Sequence, residues 1–369
     1  MAALVIVLSF MFSAGFTALV IPKIILISFK KRLFDTVDER KVHTGIVPRL
    51  GGVAFTPSII ISLAFAIGLA ALHYGVDAVD LNPSITGPRL AICMSALLLL
   101  YLEGVTDDLI GMGYKTKFLV QFISASAIVG SGIYFNNLYG LFGVHELTPW
   151  VGIPLSVIGV VFIINAMNLI DGIDGLASGL SCIALFFFGC MFFYLSEYIL
   201  AAIAFTTMGT LIPFFGFNVF GNAEKGHKIF MGDCGSQTVG LILGMLAVRF
   251  SMYETAAEMT DPRFPNALVV AFSVLMVPLL DVFRVFIGRI RRGTNPFMPD
   301  QTHIHHKFLA LGMSHRTAMG VILMLAAFFG ILNLLLIKQI NINILLLLDI
   351  VSWTAMQIWI SFLIRKRKV

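Results

Sequence analysis

The sequence predicts an all-α polytopic integral membrane protein with about eleven transmembrane helices, folded as one domain over residues 1–369. Three observations predict it. Hydrophobic residues make up 58% of the chain and charged residues only 12%, with a mean hydropathy of +0.94, far from the composition of soluble domains. Apolar runs of the roughly 20 residues that cross a hydrocarbon core recur between polar breaks. The charges between these runs fall unequally on two sides.

Taken in order, the runs cover 3–28, 51–73, 88–105, 117–135, 149–167, 176–195, 197–217, 236–253, 266–288, 318–337 and 343–364. The first ends against Lys30, Lys31 and Arg32, and the second begins at the paired glycines 51 and 52. The third stops short of Asp107 and Asp108, and the fourth starts beside Lys115 and Lys117. "VGIPLSVIGVVFII" in the fifth carries no charge and leads into "NAMNLIDGIDGLASGLS", which opens the sixth. A tight join at Tyr194 to Glu197 separates the sixth from the seventh, and "MGDCGS" precedes the eighth. The ninth runs out at Arg289, Arg291 and Arg292, and the last encloses Asp349, for which the sequence offers no partner.

No basic residue precedes the first run, which argues for an uncleaved segment with its N-terminus outside and the C-terminus cytoplasmic. In that alternation one set of loops holds Lys30, Lys31, Arg32, Arg40, Lys41, Arg49, Lys115, Lys117, Lys225, Lys228, Arg289, Arg291, Arg292, Lys307, Arg316 and the basic tail. The opposite loops hold Arg89, Arg263 and Lys338 beside Asp77, Asp80, Glu146, Glu197, Glu254, Glu258 and Asp261. This is the positive-inside pattern, and it places the first set in the cytoplasm. Cys93, Cys182, Cys190 and Cys234 have no CxxC or CxxH spacing, so neither a disulfide framework nor a zinc site is expected.

Five polar clusters share the basic side. They are "FDTVDERKVHTGIVPRLGG" with Asp35, Asp38, Arg40, Lys41, His43 and Arg49; "EGVTDDLIGMGYKTK" with Asp107, Asp108 and Lys117; the stretch with Asp171 and Asp174; "NVFGNAEKGHKIFMGDCGS" with Asp233; and "RIRRGTNPFMPDQTHIHHKF" with Asp300, His303, His305 and His306. Singly each has an ordinary reading: a solvated helix cap, a surface loop, an anchor to anionic lipid. Together they suit phosphoryl transfer at a membrane surface. Mg2+ takes one or two carboxylates plus substrate phosphates and waters, and Asp107, Asp108, Asp171, Asp174 and Asp233 could supply such ligands. Glycines 172, 175, 232 and 235 let backbone N–H groups approach phosphate, and the helices that follow add a favourable dipole. Broken, acidic backbone is tolerated there if it lines a wet site rather than lipid.

Other chemistries lack their signatures. There is no GxxxxGK[ST], HExxH or GxSxG, and the DG stretch lacks the downstream arginine and acid spacing of CDP-alcohol phosphotransferases. A secondary transporter would place its ionisable residues near the membrane midplane, whereas these sit at loop junctions.

"VTDDLIG", "NAMNLIDGIDGLASGLS", "IFMGDCGS" and "PFMPDQTHIHH", in this order, resemble the polyprenyl-phosphate N-acetylhexosamine-1-phosphate transferases over about Asp35 to His315. The last motif is similar to that of the WecA-type branch, which uses UDP-GlcNAc, rather than the branch using UDP-MurNAc-pentapeptide; UDP-GalNAc and deoxy-aminosugars stay open. The resemblance implies transfer of GlcNAc-1-phosphate from UDP-GlcNAc to undecaprenyl phosphate, with Mg2+ (Mn2+ as an alternative), in the bacterial inner membrane and early in O-antigen or other envelope polysaccharide synthesis. It implies Asp233 and Asn168 at the metal, Asp174 and Phe230 at uracil, and Lys117 at the pyrophosphate. It also implies Asp107 and Asp108 near the lipid phosphate, and His303, His305 and His306 over the sugar-phosphate end. Arg49 and Asp171 complete the expected site.

A polyprenyl tail has to enter sideways from the bilayer. Glu103, Asp281 and Arg284 are candidates for the border of its groove, although Asp281 and Arg284, spaced i to i+3, suit an internal ion pair better. Gly240 and Gly244 form a GxxxG that serves either a homodimer or internal packing. No nucleic-acid partner is expected.

Overall fold

The structure, a computed structural model, describes residues 1–34, 47–75, 87–252, 266–294 and 302–367. Asp35, Asp38, Arg40, Lys41, His43, Asp77, Asp80, Glu254, Glu258, Asp261, Arg263 and Asp300 lie outside the described residues.

Helices follow the apolar runs: α1 (Ala2–Lys31), α2 (Phe55–Tyr74) after a short 3-10 turn (Gly51–Ala54), α3 (Gly87–Ile110), α4 (Tyr114–Gly130), α5 (Pro149–Ile170), α6 (Leu176–Tyr194), α7 (Tyr198–Phe220), α8 (Gly232–Ser251), α9 (Ala267–Ser273), α10 (Met276–Arg291), α11 (Ile304–Ala310), α12 (His315–Leu336) and α13 (Ile342–Arg367). Among the described residues nine are long and apolar enough to cross a membrane, or ten if α9 and α10 count as one broken span. The run expected at 117–135 is the 17-residue helix α4. The run expected at 266–288 is bent by 79° between α9 and α10. Pro278 has no N–H to offer the carbonyl of Val274, one turn back, so the break falls where a backbone bond cannot form.

One two-stranded feature was not expected from sequence. Antiparallel strands β1 (Asn137–Leu141) and β2 (Val144–Glu146) close the α4–α5 connection. Asn343 at the start of α13 clamps them, accepting from the N–H of Phe142 (2.7 Å) and donating to the carbonyl of Gly140 (3.0 Å).

The core is organised around α8, in which every residue except Asp233 is buried. This is the least hydropathic of the candidate spans, because a helix enclosed by protein can keep Ser236, Gln237, Thr238 and Arg249 where lipid would reject them. Small residues let its neighbours close in. A Cβ on Gly240 would strike the backbone of Ile164, and one on Gly244 would press on Val160, both in α5. The GxxxG is therefore used inside the fold. Towards the other end of α8, Arg249 donates to Glu197 at 2.8 Å, and both side chains are buried. Asp349 also has a partner, the side-chain amide of Asn333 on α12 (3.0 Å).

Candidate active site

The ends of α3, α5, α7 and α10 and the starts of α4, α6, α8, α11 and α12 meet at one end of the bundle, where three polar groups form around the N-terminus of α8.

The first group is built on helix ends. Gly232 has φ +73°, and a Cβ there would collide with the carbonyl oxygen of Arg49 and the carboxylate of Asp108. Glycine is thus required for α8 to start at this point. Asp108, arriving from the last turn of α3, accepts the N–H groups of Asp233 (2.8 Å) and Cys234 (3.1 Å), which would otherwise be orphaned at a helix start. Asp107 accepts the N–H of Met112 (2.7 Å) and so closes the turn into α4. Lys117 then bridges Asp107 and Asp233 with one ammonium. Asn168, on the last turn of α5, donates to Asp233 Oδ1 (3.1 Å) and to Ser236 Oγ (2.9 Å). An amide chain supports it: Asn165 donates to Gln121 (2.7 Å), which donates to Gln237 (3.0 Å).

One ligand oxygen from each of Asp107, Asp108 and Asp233 lies within 4.8 Å of the others. Three carboxylates against one lysine leave a net negative site of oxygen donors, which fits a hard divalent cation. Asn168 holds Asp233 by its amide NH2, the position from which an outer partner would orient a metal-binding carboxylate. Arg49 is exposed, yet its charge acts on both Asp108 and Asp171 from across the site. Glu103, considered for a lipid-facing groove, is instead 5% exposed and lies behind the acids, near Asp107 and Gln237.

The second group is the turn between α5 and α6. Gly175 takes the left-handed conformation (φ +76°), and its N–H donates to Asn218 Oδ1 (2.6 Å). Asn218 in turn donates to the carbonyl of Ile229 (2.8 Å), fastening this turn to the stretch before α8. That stretch pairs with the loop before α2: Phe230 N–H to Pro48, Gly51 N–H to Phe230 and Gly52 N–H to Met231, at 2.8–2.9 Å. Asp174 and Phe230 are thereby brought together, with Lys228 between them: its ammonium lies 2.6 Å from Asp174 and 5.8 Å from the centre of the Phe230 ring. Burial pushes the carboxyl of Asp171 up to about 7, and the carboxylates of Asp233, Asp174 and Asp108 act in the same direction against the charge of Arg49.

The third group is the histidine loop. Asp281 on α10 is fully buried and accepts from the Ile304 N–H (3.1 Å), pairs with Arg284 (2.7 Å) and meets His303 Nδ1 (2.9 Å). The i to i+3 ion pair is present, and it anchors this loop. His305 packs against Gly172, where a Cβ would overlap its ring. Its ring stacks on that of His303, with centroids 5.8 Å apart, and lies tilted against that of His306 at 4.2 Å. Neither nitrogen of His305 has a hydrogen-bond partner among the described residues. Burial, then the adjacent His306 and His303, lowers its pKa to about 3, so the ring is neutral.

The structure therefore unites Arg49, Asp107, Asp108, Lys117, Asn168, Asp171 and Asp233, sets Asp174 beside Phe230, and joins His303, His305 and His306 to them through Gly172. Sequence reasoning left Lys228 among the generic loop cations and missed Asn218 and the Asn165–Gln121–Gln237 chain. Lys228 had a signal: in "KIF" it stands two residues before Phe230, on the same side of an extended segment.

The model of glycosyl transferase family 4 matches residues 90–251, which span α3 to α8 and contain Asp107, Asp108, Asp171, Asp174 and Asp233. Beyond that segment, a probable undecaprenyl-phosphate N-acetylglucosaminyl 1-phosphate transferase of Bacillus subtilis (strain 168) is 32% identical over 359 residues, 96% of this chain and 90% of that protein. The chain belongs to glycosyl transferase family 4. Other members with which it aligns are the undecaprenyl-phosphate alpha-N-acetylglucosaminyl 1-phosphate transferases of Yersinia pestis, 29% identical over 84% of this chain and 78% of that protein, and of Escherichia coli (strain K12), 28% identical over 83% and 77%. For this family-4 protein the alignment with the Bacillus relative covers nearly the whole chain, and so takes in more than the segment from α3 to α8.

Proposed function

We propose that this protein transfers N-acetylglucosamine 1-phosphate from UDP-GlcNAc to undecaprenyl phosphate, releasing UMP and forming undecaprenyl-pyrophosphate-GlcNAc. The observation that carries the reading is the close set of Asp107, Asp108 and Asp233 bridged by Lys117 at one end of a membrane bundle, in a chain whose relatives are named for this transfer. The basic loops at that end support a site on the cytoplasmic side of the bacterial inner membrane, where a nucleotide sugar is available.

An oxygen of the lipid phosphate attacks the β-phosphorus of the donor in line, and the bond to the UMP oxygen breaks. The second pKa of a phosphate monoester is about 6, so the acceptor is already largely dianionic at neutral pH and needs no general base. Asp107, held by Lys117 and the Met112 N–H, acts by position. Asp107, Asp108 and Asp233 would hold Mg2+ (Mn2+ as the alternative), which when bound supplies Lewis-acid neutralisation of the diphosphate oxygens. Lys117 and Arg49 bring cationic charge to the pyrophosphate. Asp174 and Lys228 offer polar contacts, and Phe230 an apolar face, to the uracil. The neutral His305 and its neighbours close the sugar-phosphate end.

The test is UMP release by the detergent-purified protein from UDP-GlcNAc, UDP-GalNAc and UDP-MurNAc-pentapeptide, each with undecaprenyl phosphate and Mg2+, with Asp233→Ala as control. Lipid- and metal-dependent release from UDP-GlcNAc above the other donors, absent in the variant, is expected. Preference for another donor would reassign the sugar, and no lipid-dependent UMP from any donor by folded protein would overturn the transferase reading.

A further inference from the structure

Behind the histidine loop a groove of about 590 Å³ opens between α10, α11 and α13. Phe283, Ile350, Ile358 and Phe362 on its rim are exposed, as expected for side chains that face lipid. Among them stand Arg284, Lys307 and Arg365, with no carboxylate in the lining among the described residues. Arg284 is committed to Asp281 and to the carbonyl of Thr302. Among the described residues Lys307 donates to the neutral oxygens of Gln357 (2.7 Å) and Ser361 (3.1 Å). Burial and the charge of Arg284 bring its pKa down to about 8, against the opposing pull of Asp281.

The wall also holds unsatisfied polar groups of one polarity. Trp353 Nε1, Gln357 Nε2 and Arg284 Nε are buried and have no hydrogen-bond partner among the described residues, and Trp353 and Gln357 are 4% and 5% exposed. All three are donors. Buried donors that converge on one cavity beside cations call for a ligand rich in acceptor oxygens. Leu280 and Ile350 also line a further cavity of about 470 Å³ whose walls are nearly all apolar, so the cationic part has apolar surface beside it.

We propose that this groove binds an anionic bilayer phospholipid, its phosphate at Lys307 and Arg365 and an acyl chain along α10 and α13. The occupant is a bystander rather than the reacting lipid, because the cations that act most strongly on Asp107, Asp108, Asp171 and Asp233 are Lys117 and Arg49, not those of the groove. Since Arg284 also holds Asp281, and Asp281 holds His303, a lipid seated here braces the histidine loop from behind.

The experiment measures binding of phosphatidylglycerol and of phosphatidylcholine to the full-length protein in detergent by native mass spectrometry, without any need for turnover. Phosphatidylglycerol is expected to bind about ten-fold more tightly, and the Lys307→Gln/Arg365→Gln variant to bring the two lipids within about three-fold. Trp353→Phe, which keeps the ring and removes one N–H, is expected to weaken phosphatidylglycerol alone by about three-fold, and it carries the test if the double variant does not fold. Equal affinity for the two lipids in the wild type, an unchanged preference in the variants, or displacement of phosphatidylglycerol by undecaprenyl phosphate at the concentration that half-saturates UMP release would overturn the proposal.

Discussion

Asp108 on α3 caps α8: its two carboxylate oxygens accept the N–H groups of Asp233 and Cys234, 125 and 126 residues further along the chain. A carboxylate at a helix N-terminus is stabilised by the aligned peptide dipoles, and here it also fixes the backbone of the residue next to it in the site. Asp108→Ala should lower stability by about 1–2 kcal/mol, the usual cost of a lost cap, and abolish UMP release. Asp108→Asn, which keeps one acceptor oxygen, should recover most of the stability and little of the activity. Thermal melts in detergent beside turnover assays separate the two effects.

Lys117 occupies charge that a divalent cation would otherwise meet, since it neutralises Asp107 and Asp233 together. Removing it should have opposite effects on metal binding and on turnover. Lys117→Gln is expected to bind Mn2+ several-fold more tightly, read by electron paramagnetic resonance, while kcat falls by at least about 100-fold, the loss of one group that stabilises transition-state charge. Weaker Mn2+ binding in the variant would count against the three acids as ligands.

The carboxyl of Asp171 sits at about 7 in the folded protein, against an ordinary 3.8. A raised carboxyl favours the fold fully below the unfolded value, and that contribution is lost as pH rises through the folded one. The melting temperature of the wild type should therefore fall between about pH 4 and pH 7 more steeply than that of Asp171→Asn. Parallel curves for the two proteins would show that Asp171 is charged in the fold throughout.

The ring of His305 lies where a side chain on Gly172 would have to go. Gly172→Ala should displace the histidine loop, raise KM for the nucleotide sugar and lower kcat. In Gly172→Ala/His305→Ala the second change removes the clash, so the two losses should combine to much less than their sum. Additive losses would mean that the two loops act separately.

Glu197 and Arg249 pair well away from the acids, buried on both sides. Glu197→Gln takes one counter-charge from a buried guanidinium and should destabilise the protein, by at most about 3–5 kcal/mol. Turnover by the protein that remains folded should be unchanged, because the pair lies towards the end of α8 opposite Asp233. A melt and a specific-activity assay on the same preparation test both halves.

What the sequence by itself determined was set by local rules. A span needs about 20 apolar residues wherever it lies, so α1, α2, α5, α6, α7, α12 and α13 were visible as runs, and glycine-flanked acids marked Asp171, Asp174 and Asp233 as parts of broken backbone. Tertiary structure decided the rest. Complete enclosure of α8 arises from its neighbours, and its polar residues made it look like a weaker span than it is. Strands β1 and β2 are held by Asn343, some 200 positions away, and the bend before α10 depends on one missing N–H inside an unbroken apolar run. Pairings at the site are equally distant: Asp108 with the start of α8, Lys228 with Asp174, Asp281 with His303. Composition can tell which residues must leave the lipid, since that is a solvation energy carried by each side chain. Which of them meet is decided by how helices pack, and that belongs to no single segment.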